Sequence, residues 1–425
     1  MTKIKDVLVE QNPWWKGPFK VEGYCDREVH AEIKKFMHMP QIVALTGLRR
    51  VGKTTLMLKM VEDAVNGGLN PANVMYLSFD EFRGIGIREV LEEYEAIVGA
   101  NLREGRFLVL LDEIQKLEGW HDQLKALYDV LKKNVKFVIS GSESLFIRKG
   151  AKETLAGRLF EFLIRPLSFQ EYLWFRKVKY RPIGLYEKEL SRLFEEFVLT
   201  QGFPELIGVN SRDVARKYLR ESIVEKVVFR DLPGLHGIRD VSVVESLLNI
   251  LMEEPGQIVE ISELADALKV SRKTMSNYLS YLEQSFLLMK LYNFSRGRRK
   301  VERKLRKYYP TIISPDLAFR EDELSRSRVF EWMVVNQLNA EFFWRDAYKN
   351  EVDIVLGTKK PVPIEVKHGK VDTSGLRAFM TKFNVGRGYV VTAKTEETQK
   401  MDGKTIVAVP AFKFLLSAAL ENRPE

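Results

Sequence analysis

Short apolar runs alternating with helical stretches dominate the first third of the chain. Residues 42–46 (IVALT) form an uninterrupted apolar run, and apolar positions at helical spacing follow over 55–65. Further runs stand at 74–79 (VMYLSF), 107–111 (FLVLL) and 136–140 (KFVIS), separated by helical stretches at 87–103 and 120–132. Strands without an exposed polar face, each followed by a helix, predict an α/β fold with a parallel sheet covered on both sides. From 166 to about 250 the pattern is nearly all helical, with a turn at Gly202–Pro204. Segment 257–294 reads as a short strand, two helices and another strand, and from about 325 the order is helix, three strands, helix, strand.

A length of 425 residues exceeds what one core serves. The pattern changes place divisions at 1–165, 166–239, 240–313 and 314–425. Hydrophobic content of 45% with 29% charged residues fits a globular chain. No apolar run approaches the ~20 residues of a membrane span, and Met1 to Glu10 lacks the apolar stretch of a signal peptide. Cys25 is the single cysteine, which excludes an internal disulfide framework and a zinc knuckle. A cytoplasmic protein without membrane contact is expected. Net charge is +9, and segment 295–307 alone holds eight basic residues against one acidic, whereas 314–425 carries 17 against 16. The excess is therefore a local strip.

The strongest chemistry lies between the first strand and the first helix. Gly47, Leu48, Arg49, Arg50, Val51, Gly52, Lys53 and Thr54 match G-x-x-x-x-G-K-[ST], in the strand-to-helix context that the motif requires. Glycines let the backbone N–H groups face phosphate oxygens, and the helix that follows, from Thr55 on, offers its positive end. Lys53 would reach the β- and γ-phosphates of ATP, and the Thr54 hydroxyl would ligate Mg²⁺. Arg49 and Arg50 fill variable loop positions without an assigned side-chain role. Downstream, Asp112 and Glu113 end an apolar strand. Asp112 would hold Mg²⁺ through water, and Glu113 would orient or deprotonate the attacking water. Capping of the next helix is the alternative for this pair.

These residues, with Asn12–Trp15, Tyr76–Asp80, Leu111–Lys116, Ser140–Ser142, Gly157–Arg158, Pro166–Glu171 and Gly202–Pro204, resemble an ATPase family of archaea and bacteria. It belongs to the AAA+ (STAND-related) P-loop class. The resemblance implies a RecA/AAA+-like P-loop sheet followed by a helical lid. It makes Ser140 or Ser142 the polar sensor beside the phosphate strand. It also makes Arg158 an arginine near the γ-phosphate, of its own or a neighbouring subunit, and implies a closed homo-oligomer. For Arg158 a surface ion pair is the alternative.

Ser262–Leu268 and Ser271–Phe286 look like the two helices of a helix-turn-helix within a winged helix. Met275, Leu279, Leu282 and Phe286 form the buried stripe. Arg272, Lys273, Thr274 and Asn277 are left at the start of the second helix, the end that enters the major groove of DNA in such proteins. Arg296, Arg298, Arg299 and Lys300 fall where a wing would meet phosphates. A spacer or protein-binding module is the alternative.

In the tail, Glu351–Leu356 and Val362–Lys367 alternate as adjacent strands, bringing Asp353, Glu365 and Lys367 to one place. Glu331 on the preceding helix is able to point there too. This arrangement resembles the PD-(D/E)xK restriction-endonuclease superfamily, with Val352 where a proline is usual. The resemblance implies Mg²⁺ or Mn²⁺ held by Asp353, Glu365 and the Val366 carbonyl, and Lys367 activating water. A solvated Glu–Lys strand face is the alternative, and His368 reads as an exposed loop residue. The order ATPase, winged helix, nuclease-like tail is common in the ATPase family named above. The expectation is an ATP-driven DNA-binding or DNA-processing protein. Its rivals are a nucleotide-dependent switch with an inert nuclease-like module and a protein-remodelling ATPase.

Overall fold

The computed structural model describes residues 4–80, 84–141, 154–209, 211–233, 238, 240–297, 305–369, 372–401 and 403–417. It divides into two compact units, Met1–Pro166 and Leu167–Glu425. Among the described residues, no helix is long and apolar enough to cross a membrane.

The first unit is built on five strands: β1 (Ile42–Thr46), β2 (Val74–Ser78), β3 (Phe107–Asp112), β4 (Val135–Gly141) and β5 (Leu159–Leu163). They pair in the order β2-β3-β4-β1-β5, and every pairing is parallel. The expected parallel sheet is present, and β4 lies between the glycine-loop strand and the carboxylate strand. Its helices are α1 (Ile4–Gln11), α2 (Glu28–Lys34), α3 (Lys53–Asn66), α4 (Ile87–Val98) and α5 (Trp120–Leu131). The third starts at Lys53 rather than 55, because Gly52 takes a left-handed φ of 96° as its N-cap. The fourth stops at Val98, where Gly99 at φ 65° turns the chain, so the expected stretch to 103 is not helical.

The edge of β2 is closed by side chains. The Asn12 amide accepts from the Tyr76 N–H (2.7 Å) and donates to the Tyr76 carbonyl (2.8 Å), while both Trp14 and Trp15 donate to the Val74 carbonyl. An exposed strand edge is thereby satisfied. At the other end of the sheet, Lys136 on β4 donates to the carbonyls of Phe36 (2.9 Å), Met39 (2.8 Å) and Gln41 (2.5 Å), just ahead of β1. Burial pushes this ammonium down to about 8. Lys136→Met removes the donor to all three carbonyls and is expected to cost about 3 kcal/mol: bonds from a charged donor contribute about 1.5–3 kcal/mol each, and the desolvation the buried ammonium bears offsets part of their sum. Urea unfolding monitored by fluorescence reads the shift; an unchanged midpoint would make the cage energetically idle.

The second unit opens with helices α6 (Phe169–Phe175), α7 (Glu187–Thr200) and α8 (Arg212–Lys217), which runs into π-helical turns at Tyr218–Val224 and Val227–Asp231. Next come α9 (Val241–Glu253), α10 (Ile261–Ala267), α11 (Arg272–Gln284), β6 (Leu288–Asn293) and β7 (Arg306–Pro310). The tail follows as α12 (Pro315–Ala318), α13 (Glu323–Leu338), β8 (Phe342–Arg345), β9 (Glu351–Leu356), β10 (Val362–Lys367), α14 (Ser374–Phe383) and β11 (Arg387–Thr392). It closes with β12 (Glu397–Met401), β13 (Lys404–Pro410) and α15 (Ala411–Leu416). Helix, three strands, helix and strand appear as expected; β12, β13 and α15 lie beyond that pattern.

The eight strands form one mixed sheet in the order β12-β13-β11-β10-β9-β8-β6-β7. Its seam is the parallel pair β6–β8, with Tyr292 opposite Phe342. The sheet therefore runs across the boundary expected at 313/314, and residues 167–425 cluster as one compact unit. One core joins Phe169, Tyr172 and Phe197 from the helical segment with Trp332 and Phe330 of α13 and Phe412 of α15. The segment expected as a lid thus buries its apolar side within the second unit. A second cluster packs Leu376, Phe379 and Met380 of α14 on Trp344, Val352 and Val390 across the sheet.

Candidate functional site

The loop between β1 and α3 has the backbone of a phosphate cradle. Gly47 (φ 141°), Arg50 (φ 63°) and Gly52 (φ 96°) all lie in the left-handed half of conformational space. A Cβ at Gly47 would stand 2.2 Å from the Ile164 carbonyl oxygen, so glycine is required there for space as well as conformation. Leu48 and Val51 are buried and anchor the loop, Arg50 is exposed, and Arg49 is intermediate. Lys53 is only 5% exposed, and its Nζ donates to the carbonyls of Gly47 (3.1 Å) and Leu48 (2.9 Å), folding its ammonium over the loop. Thr54 and Thr55 are exposed at the first turn of α3.

Asp112 receives four hydrogen bonds. Thr54 Oγ1 (2.6 Å) and the Tyr76 hydroxyl (2.8 Å) donate to Oδ2, while the Ser140 hydroxyl and the Glu113 N–H (3.1 Å) donate to Oδ1. Burial and the Asp112 charge hold the Tyr76 phenol well above its ordinary range, so it stays a donor. Ser140 is fully buried and also accepts from the Glu113 N–H at 3.2 Å. Strand β4 thus brings a hydroxyl to the carboxylate pair, where the sensor was expected. Ser142 lies outside the described residues. Glu113, at φ 53°, is turned out of the strand direction and held by Gln115, whose Nε2 donates to it at 2.6 Å. Glu113, the N-cap of the short turn that follows, makes no side-chain cap to it. The cradle, a buried lysine, a hydroxyl and two carboxylates fit a triphosphate with Mg²⁺.

Arg27 carries no sequence signal of its role. Its guanidinium is buried and donates to the carbonyls of Val51 and Arg165, both at 2.7 Å, tying the loop to the segment after β5. Nothing in local spacing announces a contact between side chain and carbonyls so far apart in the chain. Arg158 stands at the other end of the sheet. It precedes β5, its carbonyl accepts from the Ile42 N–H, and its guanidinium pairs with Asp129 at 3.0 Å. By the strand register it lies beside Gln41, six residues before Gly47 and about 20 Å away at ~3.3 Å per residue. The surface ion pair is what this chain alone forms, and Arg158 is remote from its own loop.

In the second unit, Ser271 caps α11 by accepting from the Thr274 N–H, and Met275, Leu279 and Leu282 are buried. Helix α11 ends at Gln284, leaving Phe286 half-buried beyond it at φ 60°, outside the expected stripe. Arg272, Lys273 and Asn277 are exposed at its first turns, with Thr274 partly so. Arg296 is turned onto α14, donating to the Phe383 carbonyl at 2.8 Å. Arg298, Arg299 and Lys300 lie outside the described residues.

The tail residues lie on β9, β10 and α13. Asp353 Oδ2 accepts from the Val366 N–H at 2.8 Å, and Glu365 pairs with Lys367 at 2.7 Å. Glu331 accepts from the Tyr309 hydroxyl at 2.5 Å. Among the described residues no three carboxylate, histidine or cysteine side chains converge closely enough to share a metal ion. Asp353, Glu365 and Glu331, expected for Mg²⁺ or Mn²⁺, are each bonded to another group in this structure. An unexpected neighbour stands among them. Lys307, from the basic strip, is buried among them, 2.5 Å from Glu351, 3.8 Å from Glu331 and 4.0 Å from Asp353. Burial opposes its charge, but Glu331, Asp353 and Glu351 outweigh it and hold the ammonium above its usual range. Burial, then the Asp353 charge, raises Glu331 to about 7 and Glu365 to about 8. His368 packs its ring 5.6 Å from Phe330, half-buried at the end of β10.

Residues 39–173 match the family model described as AAA domain. Residues 191–311 and 327–412 match two domains of unknown function, DUF8612 and DUF4143. An uncharacterized protein of Haemophilus influenzae is 26% identical over 63% of this chain and 66% of its own length, just under two thirds. Another, of Methanocaldococcus jannaschii, is 26% identical over 88% of this chain and 85% of its own. The solved structure of Cdc6p from Pyrobaculum aerophilum overlaps 75% of this chain and 96% of its own at 12% identity, with a TM-score of 0.32, too low to bear on the fold. The matched AAA domain spans all five strands of the parallel sheet and the glycine loop.

Proposed function

We propose that this chain is a Mg²⁺-dependent ATPase that binds DNA through the first turns of α11 and works as a closed homo-oligomer in the cytoplasm. The observation that carries the reading is the glycine-loop cradle facing Thr54, Asp112 and Glu113, with Lys53 folded over it. Thr54 and Asp112 would hold Mg²⁺, which supplies charge neutralisation on the phosphates. Lys53 exchanges two backbone carbonyls for phosphate oxygens when nucleotide enters. Glu113, released from Gln115, orients the attacking water. Arg158 cannot serve its own loop, so its role at a phosphate requires a neighbouring subunit, and this favours an oligomer.

Exposed Arg272, Lys273 and Asn277 on a capped helix support the DNA reading. Binding of a labelled duplex should weaken with salt, and Arg272→Ala with Lys273→Ala should reduce the log–log slope by roughly 0.9 for each phosphate no longer neutralised. Duplex affinity and slope unchanged in the double variant would remove α11 from the interface. An ATP-dependent switch with an inert nuclease-like module is the second reading, favoured by the Lys307 ammonium buried among the tail carboxylates. ATPase activity indifferent to DNA would select it.

A further inference from the structure

Four acidic side chains, Glu331, Glu351, Asp353 and Glu365, gather in the second unit, and each already has a cationic or hydrogen-bonding partner. Glu351 is shared by Lys307 at 2.5 Å and Arg345 at 3.5 Å; Glu365 has Lys367 at 2.7 Å. Glu331 and Asp353 both face the Lys307 ammonium, within 3.8 and 4.0 Å. Three cations therefore stand against four carboxyl groups before any metal enters. Lys307 is 4% exposed and comes from β7, outside the tail's helix–strand pattern. It is held in place from below by the Phe343 ring, 5.5 Å from its Nζ.

We propose that the Lys307 ammonium is the resident cation of this centre, taking the place that a divalent metal would need and leaving the folded chain without a metal site there. A Mg²⁺ bound to the free oxygen of Asp353 would lie at most about 6 Å from the ammonium, which is 4.0 Å from that oxygen, well inside one Debye length. The second oxygen of Asp353 is committed to the Val366 N–H. Glu365 Oε2 is buried without a hydrogen-bond partner and is the atom that most invites a ligand. The other oxygen of Glu365 already holds the Lys367 ammonium at 2.7 Å. The inference is independent of the ATP and DNA readings.

The test is Mn²⁺ binding to the full chain without nucleotide, followed by electron paramagnetic resonance of free Mn²⁺. The wild type should show no uptake that Asp353→Asn removes. Lys307→Met, confirmed as folded by circular dichroism, should gain one site at least roughly tenfold tighter than any in the wild type. That site should vanish when Asp353→Asn is added. Uptake by the wild type that Asp353→Asn abolishes overturns the proposal, and so does a folded Lys307→Met that gains no site. Should Lys307→Met not fold, the comparison of wild type with Asp353→Asn decides alone.

Discussion

Lys53→Ala is expected to lower ATP turnover by roughly 10³-fold, the loss typical of removing a preorganised donor aimed at developing charge. The lysine is buried and already folded over the loop by the Gly47 and Leu48 carbonyls, so little reorganisation separates its resting position from the phosphates. Glu113→Gln should separate binding from chemistry. It keeps the size and the Gln115 contact but removes the base, so nucleotide affinity should persist while kcat falls by about 10²–10⁴. Calorimetry with Mg²⁺–ATP and a phosphate-release assay read the two quantities independently. Turnover unaffected in both variants would remove this loop from ATP chemistry.

Why is this half of the molecule legible in its residues? Its signals are local and each answers a backbone demand. Gly47 and Gly52 are fixed by positive φ, Thr54 by its place at the helix start, and Asp112 by the end of a fully buried strand. What escapes is contact between distant segments. Asn12 stands out as part of a motif, but its pairing with both backbone groups of Tyr76 is a property of the sheet edge. Arg27 reaches carbonyls, and carbonyls leave no mark in a sequence. Resemblance places Arg158 near a γ-phosphate; strand direction puts it at the opposite end of β1.

The second unit is harder for a different reason. Composition counts Lys307 with its neighbours as one charge of a phosphate-binding strip, because it reports charge without burial. Strand pairing decides otherwise: β7 turns Lys307 inward, where three carboxylates outweigh its desolvation. The same non-local pairing, β6 beside β8, carries one sheet across the expected division at 313/314. Strand β12 escapes because ETQKM has no apolar face to announce it; four of its five residues are exposed at the sheet's edge.

Gly375→Val should destabilise the second unit more than other single changes in its tail. Gly375 is the second residue of α14, and a Cβ there would stand 1.9 Å from the Glu351 carbonyl oxygen and 2.9 Å from its carbon. Its φ is ordinary, so the constraint is space alone. Helix α14 rests directly on the backbone of β9, at the residue whose carboxylate pairs with Lys307. Any side chain must lift the helix, opening the cluster of Leu376, Phe379 and Met380 on Trp344 and Val352. Overpacking against backbone, which cannot rotate away, costs about 3 kcal/mol or more. Gly386→Ala is the matched control, because nothing lies within 4 Å of its added Cβ. That control should stay within about 0.5 kcal/mol of wild type in urea unfolding. Equal midpoints for the two variants would mean that α14 does not approach β9 this closely, and the placement of Glu351 beside Lys307 would lose its support.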